Sequence, residues 1–278
     1  MKKSYLLLSA GLFLAISACD SQRQVQEAET QEPVAAVNEG PEPATEVMSE
    51  GNLRVYGFDD SQKYPESQLQ LNAPAAGSSV NSGPVEFSYA LSNYELTRMT
   101  PHSNSEHLAN SQEGQHIHNI VDNEPYTAHY ETTFTKELKE GDHVVLSFLS
   151  RSYHESLKHK GAYDLRVVTA GKPKQKMEFD TNGQHMFYSR PKGDYTGQDT
   201  ERIMLDFYLV NTDLAADRNK VRATINGTEF MLDRWLPYII EGLPMGENTI
   251  KLELVDNSGN IVPGPFNTVE RKINLKES

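Results

Sequence analysis

The stretch Val85-Glu86-Phe87-Ser88-Tyr89-Ala90-Leu91 decides the fold, because large apolar residues occupy every second position along it. Successive side chains of a strand point to opposite faces, so this alternation is typical of a half-buried antiparallel strand. The same alternation recurs at 144–148, 221–225 and 250–254. Turn-forming residues separate these stretches: Ala76-Gly77, Asp122-Asn123, Asn226-Gly227 and Asn257-Ser258-Gly259. The sequence therefore predicts an all-β fold beyond about residue 67.

An internal repeat extends outward from this strand. Leu91-x-Asn93-x-x-Leu96 matches Leu209-x-Asn211-x-x-Leu214, and Leu138-x-x-Gly141-Asp142-His143 matches Leu243-x-x-Gly246-Glu247-Asn248. The offset falls from 118 to 105 between the two matches, so the first copy carries about 13 additional residues after Leu96. Each copy resembles a bacterial immunoglobulin-like β-sandwich of short strands. The resemblance implies two tandem sandwiches, over residues 67–171 and 187–278, with a junction at 172–186.

The amino terminus has the features of a secretory signal peptide. Met1-Lys2-Lys3 is basic, and Tyr5 to Ala18 is an apolar run of 14 residues, too short to span a bilayer as a helix. Ile16-Ser17-Ala18-Cys19 resembles the lipobox of bacterial lipoproteins. That resemblance implies a signal peptide over residues 1–18 and a lipid on the Cys19 thiol. A plain signal peptide with a chance cysteine is the alternative. We expect a protein of the bacterial cell envelope, anchored to a membrane on its periplasmic or surface side.

Residues 19–66 are predicted to be a mostly disordered acidic tether. Positions 20–51 carry eight acidic residues, one arginine and three prolines, and almost no large apolar residue. Such a segment buries too little surface to offset its ordering entropy, and its charges extend it. An edge strand is also expected through Leu53, Val55 and Tyr56. The whole chain has a net charge of −13, which argues against a nucleic-acid partner.

Four further motifs resemble a family of bacterial lipoproteins with a His-rich first module. They are Gly114-Gln115-His116-Ile117-His118, Ser150-Arg151-Ser152-Tyr153-His154-Glu155-Ser156, Tyr188-Ser189-Arg190-Pro191-Lys192-Gly193 and Trp235-Leu236-Pro237-Tyr238. Members of that family are sometimes labelled phosphopeptide-binding. The resemblance therefore implies a binding protein with a peptide or protein partner.

Histidines are concentrated in the first copy, where eight of the nine lie between positions 102 and 159. With strands B, C and F near 85–91, 115–121 and 143–149, the B–C and F–G loops would meet at one end of the sandwich. Loops on a rigid scaffold commonly carry function, and clustered basic groups favour anions. The predicted binding surface for a peptide, protein or other anionic ligand consists of Arg151, Tyr153, His154, Lys158, His159, His102 and His107. A solvated basic loop is the alternative.

A metal site is the second use of these histidines. His116 and His118 are two residues apart, so on a strand they share a face. A two-residue turn at Asn123-Glu124 would pair position 118 with His129, and three imidazoles could then hold Zn or Cu. Alternatively, these histidines lie on a solvated or aromatic-packed face. His143, at the start of a strand, is predicted to be structural.

Catalytic motifs are poorly matched in the chain. His154-Glu155-x-x-x-His159 is one residue longer than the zincin helix motif, and the chain has no Gly-x-Ser-x-Gly or phosphate-binding glycine loop. Trp235, Pro237 and Tyr238 are predicted to pack in the core, with a surface aromatic platform as the alternative. The sequence thus favours a non-catalytic binding module. A Zn- or Cu-binding protein and a structural spacer are the alternatives.

Overall fold

The computed structural model describes residues 40–277, and nearly all regular structure in that range is β. The predicted signal peptide and Cys19 lie outside the described residues. One short helix, α1 (Asn104–His107), and two 3-10 turns, Lys160–Ala162 and Gly197–Thr200, accompany the strands. The strands are β1 (Met48–Glu50), β2 (Leu53–Gly57), β3 (Gln68–Ala73), β4 (Ser79–Val80), β5 (Gly83–Ser92), β6 (His116–Val121), β7 (Thr127–His129), β8 (Thr133–Leu138), β9 (Gly141–Ser150), β10 (Tyr163–Ala170), β11 (His185–Arg190), β12 (Gly193–Thr196), β13 (Ile203–Val210), β14 (Lys220–Ile225), β15 (Thr228–Leu232), β16 (Tyr238–Glu241), β17 (Gly246–Val255) and β18 (Thr268–Lys276).

The first sandwich packs a three-stranded sheet, β3-β5-β8, against a five-stranded sheet, β4-β10-β9-β6-β7. The alternating residues Val85, Phe87 and Tyr89 of β5 point into the core between the sheets, each no more than 5% exposed. Ile117 of β6 and Val145 of β9 meet them from the opposite sheet. The period-two pattern therefore places the core where the sequence predicts it.

The second sandwich repeats this arrangement strand for strand. Its sheet β12-β18-β17-β14-β15 has the order of β4-β10-β9-β6-β7, and β11-β13-β16 has the order of β3-β5-β8. In both copies the short strand β4 or β12 pairs in parallel with the last long strand of its sandwich. The predicted fold class, two tandem immunoglobulin-like sandwiches, is confirmed, and so is the internal repeat.

The second sandwich gains two strands from the segment before the first one. β2 pairs antiparallel with β16, so that Val55 lies opposite Ile240, and β1 pairs with β2 at the edge of the sheet. Val55 and Phe58 are fully buried. This pairing corrects the predicted tether for residues 48–57, because buried apolar side chains hold that segment to the sheet. The predicted strand through Leu53 is present, but β1, and not this strand, forms the edge of the sheet.

The two sandwiches share a hydrophobic core. Phe148 of β9 points away from its own core and stacks on Tyr208 of β13, with ring centroids 4.7 Å apart. Ile120 of β6 and Phe187 of β11 join the same cluster, and all four side chains are fully buried. The outer face of the β6–β9 sheet is therefore covered by the second sandwich. Within residues 40–277, no helix has the length and apolarity needed to cross a membrane.

Candidate metal centre

Three histidines converge beside the shared core. His116 and His118 lie on the same outward face of β6, and both are fully buried. Their Nε2 atoms are 2.8 Å apart, and Nδ1 of His154 lies 3.0 Å from Nε2 of His116. The three nitrogens lie within 4.8 Å of one another. This is a donor set that zinc and copper use in proteins.

A tight turn after β9 carries His154 to the other two histidines. The His154 N–H donates to the carbonyl of Arg151 at 2.9 Å, and the chain re-pairs at Ser150 and Ser156. His154 has a φ of 67°, a left-handed conformation that non-glycine residues rarely adopt. Such strained positions cluster at functional sites.

The second copy has the same turn without the histidine. At an offset of 105 the turn residue that matches His154 is Gly259, with a φ of 83°. Its N–H donates to Asp256, and the chain re-pairs at Val255 and Ile261, as in the first copy. The turn therefore suits glycine, and the first copy places a bulky donor where the conformation does not require one. Extending the predicted repeat by this offset is the sequence signal that could have singled out His154.

The ring nitrogens of the three histidines cannot all be satisfied by hydrogen bonds to one another. The His116 Nδ1–H donates to the carbonyl of Gly114 at 2.7 Å, because a carbonyl only accepts. A neutral His116 then has one lone pair, on Nε2, and both His118 and His154 face it. One lone pair cannot accept two well-formed hydrogen bonds, whereas a cation between the three nitrogens would use one lone pair from each ring.

The histidines are held in the neutral form. Burial lowers the pKa of His116 to about 4 and lowers the pKa of His118 and of His154 well below the usual range. The positive charges of Arg190 and Lys192 add to the effect on all three. At neutral pH no proton therefore competes with a metal for these nitrogens.

Residues from both sandwiches surround the cluster. The Tyr126 ring stacks on His118, with centroids 3.5 Å apart, and its hydroxyl lies 3.3 Å from Nδ1 of His154. Arg190 of the second sandwich donates from Nε to that hydroxyl at 3.0 Å, and Nζ of Lys192 lies 3.8 Å from the Tyr126 ring centroid. Sequence reasoning missed Arg190 and Lys192 as neighbours, because they reach the cluster through the packing of one copy on the other.

His129 lies apart from the cluster. In the β6–β7 ladder it is opposite Ile117, while His118 is opposite Ala128. This corrects the predicted pairing of positions 118 and 129. Five residues, 122–126, separate the strands rather than two, and a slip of one residue turns a side chain to the other face. His129 instead stacks on Phe134, with ring centroids 3.3 Å apart.

The cations of the predicted anion-binding loop are paired internally. Arg151 is buried, lies 2.9 Å from the Glu155 carboxylate and donates to the carbonyl of Gln62. Lys158 pairs with the carboxylate of Asp206, which is fully buried. These charges are neutralised within the loop and at its contact with the second sandwich, and they are not free for a ligand.

The other predicted ligand-binding residues are dispersed. Tyr153 is fully buried, and Nε2 of His159 lies 3.0 Å from the Ser67 hydroxyl. Nδ1 of His102 accepts the backbone N–H of Asn104 at 3.2 Å, and His107 ends α1. The B–C and F–G loops do contact each other, as expected: the Ser111 N–H donates to the Ser152 carbonyl. Of the predicted ligand-binding set, His154 is the member that reaches the cluster.

Part of that loop and the Trp235 motif line a common cleft. Arg151, Lys158 and His159 form one wall of this volume of about 390 Å³, and Trp235 and Pro237 form another. Trp235 donates from Nε1 to the carbonyl of Phe207 at 2.9 Å and packs edge-on against Tyr208. Its indole therefore packs against the core, as the sequence predicts, and its partly exposed side lines the cleft.

Neither a protein-family profile nor a curated protein matches this chain. Similar solved structures include the Clostridium thermocellum CbhA fibronectin(III)-like modules, at 10% identity and a TM-score of 0.27, over 76% of this chain and 95% of that chain. Another is SGBP-B of the Bacteroides ovatus mixed-linkage glucan utilization locus, in complex with a mixed-linkage heptasaccharide (10% identity, TM-score 0.23, 76% and 71%). The central fibronectin-III array of RIM-binding protein is also similar, at 11% identity and a TM-score of 0.26, over 80% of this chain and 71% of that chain. With TM-scores this low, none carries an argument about this chain, whose fold rests on its own sheets.

Proposed function

We propose that this chain is a non-catalytic metal-binding module, which holds one zinc or copper ion through His116, His118 and His154. The observation that carries the proposal is the convergence of three ring nitrogens, within 4.8 Å of one another, at a buried point. Three imidazoles with no thiolate suit zinc and copper.

The surroundings of His116 support a ligand role. A metal-binding histidine commonly donates its second ring N–H to a carbonyl, which fixes the ring and its tautomer. His116 does so with Gly114. A Cβ at position 114 would lie 2.5 Å from the Thr97 carbonyl oxygen, so glycine is required where this carbonyl is presented.

We therefore propose a metal ion as the ligand of this module, although the sequence favours an anion. Arg151 and Lys158 have their charges neutralised by Glu155 and Asp206. An anion at this loop would have to break those pairs, which is costly in a buried setting. The metal, in contrast, would meet three ring nitrogens that already lie within 4.8 Å of one another.

The place of the module in the cell follows from the lipobox-like sequence. We propose that Cys19 carries the lipid and that the module faces the periplasm or the outside of the cell envelope. Mass spectrometry of the amino-terminal peptide of the purified protein tests this. A diacylglyceryl-modified Cys19 is the expected result, and an unmodified Cys19 in a membrane-extracted protein would contradict it.

The metal proposal is tested with the untagged protein that has Cys19→Ser. Elemental analysis after loading with Zn(II) or with copper, followed by desalting, should give about one ion per chain. His154→Gly is the informative variant, because glycine suits the left-handed turn and the fold should survive. It should lose the ion, with a change in stability of no more than about 1 kcal/mol.

The matched control is His129→Gln, because His129 lies outside the cluster. It should retain one ion per chain. Absence of metal in the unsubstituted protein, or equal loading of His154→Gly and His129→Gln, would contradict the proposal.

A further inference from the structure

The charges around the three histidines are unusual for a divalent metal site. The side chains of Arg190 and Lys192 approach the cluster through Tyr126: one donates to its hydroxyl and the other lies against its ring. Among residues 40–277, no carboxylate is hydrogen-bonded to His116, His118 or His154. Three neutral ligands and two adjacent cations would give a bound ion no carboxylate in direct contact, since the nearby carboxylate of Asp199 interacts with Arg190.

This arrangement disfavours a dication more than a monocation. The repulsion between a bound ion and a neighbouring cation scales with the charge of the ion. It is stronger in a buried site than in water, because fewer waters and salt ions screen it. Each of the two neighbouring cations therefore disfavours Zn(II) twice as strongly, in free energy, as it disfavours Cu(I).

The number of available ligands points the same way. Zinc in structural sites takes four ligands, and catalytic zinc keeps a water as the fourth. Zn(II) and Cu(I) both have a filled d shell, but Cu(I) carries half the charge and is satisfied by three nitrogens in a plane. His116 and His118 are fully buried and offer water no approach, so a fourth ligand could reach the ion only beside the partly exposed ring of His154.

Tyr126 does not supply the missing ligand. Its ring is within 13° of parallel to the His118 ring and stacks 3.5 Å from it. A metal bound to Nε2 lies near the plane of the His118 ring, about one stacking distance from the plane of the phenol. The Tyr126 hydroxyl also already accepts from Arg190.

We propose, resting on the metal-binding function above, that this centre selects Cu(I) over Zn(II), and that Lys192 and Arg190 are residues that determine the selectivity. Cu(I) would be held by His116, His118 and His154 alone. No change of oxidation state is part of the proposal.

The test measures two affinities in the Cys19→Ser protein at pH 7. Cu(I) is titrated without oxygen against bicinchoninate, and Zn(II) is titrated against a chromophoric chelator. Lys192→Gln is the test variant, because Lys192 is partly exposed and its loss should not unfold the protein. Burial lowers the pKa of Lys192 to about 8, so the side chain is mostly charged at pH 7. Lys272→Gln, an exposed lysine paired with Glu247, is the matched control.

We expect the unsubstituted protein to bind Cu(I) more tightly than Zn(II). Lys192→Gln should tighten Zn(II) binding about tenfold and Cu(I) binding about threefold. The change in binding free energy is twice as large for the dication, so its fold change in affinity is the square of that for the monocation. Lys272→Gln should change neither. Zinc binding as tight as Cu(I), or an unchanged Zn/Cu(I) ratio in Lys192→Gln, would overturn the selectivity and leave the metal site standing. Binding of neither ion would remove the proposed function itself.

Discussion

Replacing Phe187 with alanine should weaken both sandwiches at once. Phe187 belongs to the second sandwich, is fully buried, and packs in the cluster that contains Phe148 of the first. Large-to-small changes of a buried phenylalanine cost about 3 to 5 kcal/mol, from lost burial and from the cavity that remains. Because the cluster joins both sandwiches, the whole of that loss should appear in one cooperative unfolding transition.

Urea denaturation followed by two probes measures this effect. Trp235 is the single tryptophan, and it packs against Tyr208 at the shared core, so its fluorescence reports on the interface. Far-ultraviolet circular dichroism reports on the strands of both sandwiches. The two curves should coincide, and both should shift in Phe187→Ala. Met231→Ala, at a side chain 42% exposed, should change stability by less than about 0.5 kcal/mol. Two separate transitions, or a loss below about 1 kcal/mol for Phe187→Ala, would refute a shared core.

Three further substitutions test particular contacts. Gly114→Ala should cost about 2 kcal/mol and weaken metal binding, since φ is +84° and a Cβ would lie 2.5 Å from the Thr97 carbonyl oxygen; urea denaturation and the metal titration measure the two effects. His129 has a pKa lowered to about 4, chiefly by burial. Its unfolded pKa is higher, so stability should fall as the pH falls from 6.5 towards 4. His129→Gln should reduce the change in urea midpoint between pH 7 and 5, and the part that His116, His118 and His154 contribute should remain. Lys158→Met should lower the free energy of unfolding, measured by urea denaturation, by about 3 kcal/mol, because it leaves Asp206 buried without its cation.

Controls separate these causes from general damage. Gly227 has a φ of +89°, and a Cβ added there would meet no other atom within 4 Å, so Gly227→Ala measures backbone strain without the clash. Lys272→Met removes an exposed ion pair and should cost less than about 1 kcal/mol. Equal losses in Gly114→Ala and Gly227→Ala would argue against close contact at position 114. A pH profile unchanged by His129→Gln would argue against a partly buried neutral ring. A loss below about 1 kcal/mol for Lys158→Met would argue against a buried pair.

Strand positions could be predicted closely because each strand pattern is local. The alternation at 85–91 lies within β5, and the predicted strand near 143–149 lies within β9. A side chain that points into the core of its own sandwich is apolar regardless of how the sandwiches pack on each other. The alternation of apolar and polar residues is therefore visible in the sequence. The same rule places His116 and His118 on one face.

The rest of the site depends on information that no local pattern contains. The third histidine reaches the cluster through the geometry of a turn, where His154 adopts a φ of 67°. The β6–β7 register that places His129 outside the histidine cluster depends on a loop of five residues rather than two. Arg190 and Lys192 reach the site because one sandwich packs on the other. The pairing of β2 with β16 is likewise a contact across most of the chain.

The registers of the two copies explain why the histidines occur in the first one. His118 lies opposite Phe148 in the β6–β9 ladder, and the repeat equates this pair with Arg222 opposite Glu253 in the β14–β17 ladder. In the second copy these positions form a partly exposed ion pair at 2.9 Å.

In the first copy the same face lies under the second sandwich, where an ion pair would lose its hydration and contribute little net stability. A neutral imidazole keeps a polar donor at such a buried position at lower cost. The first copy also has His154 at the turn position where the second copy has Gly259, although the left-handed conformation favours glycine. Packing of one copy on the other thus brings the three histidines of the first sandwich beside Arg190 and Lys192 of the second.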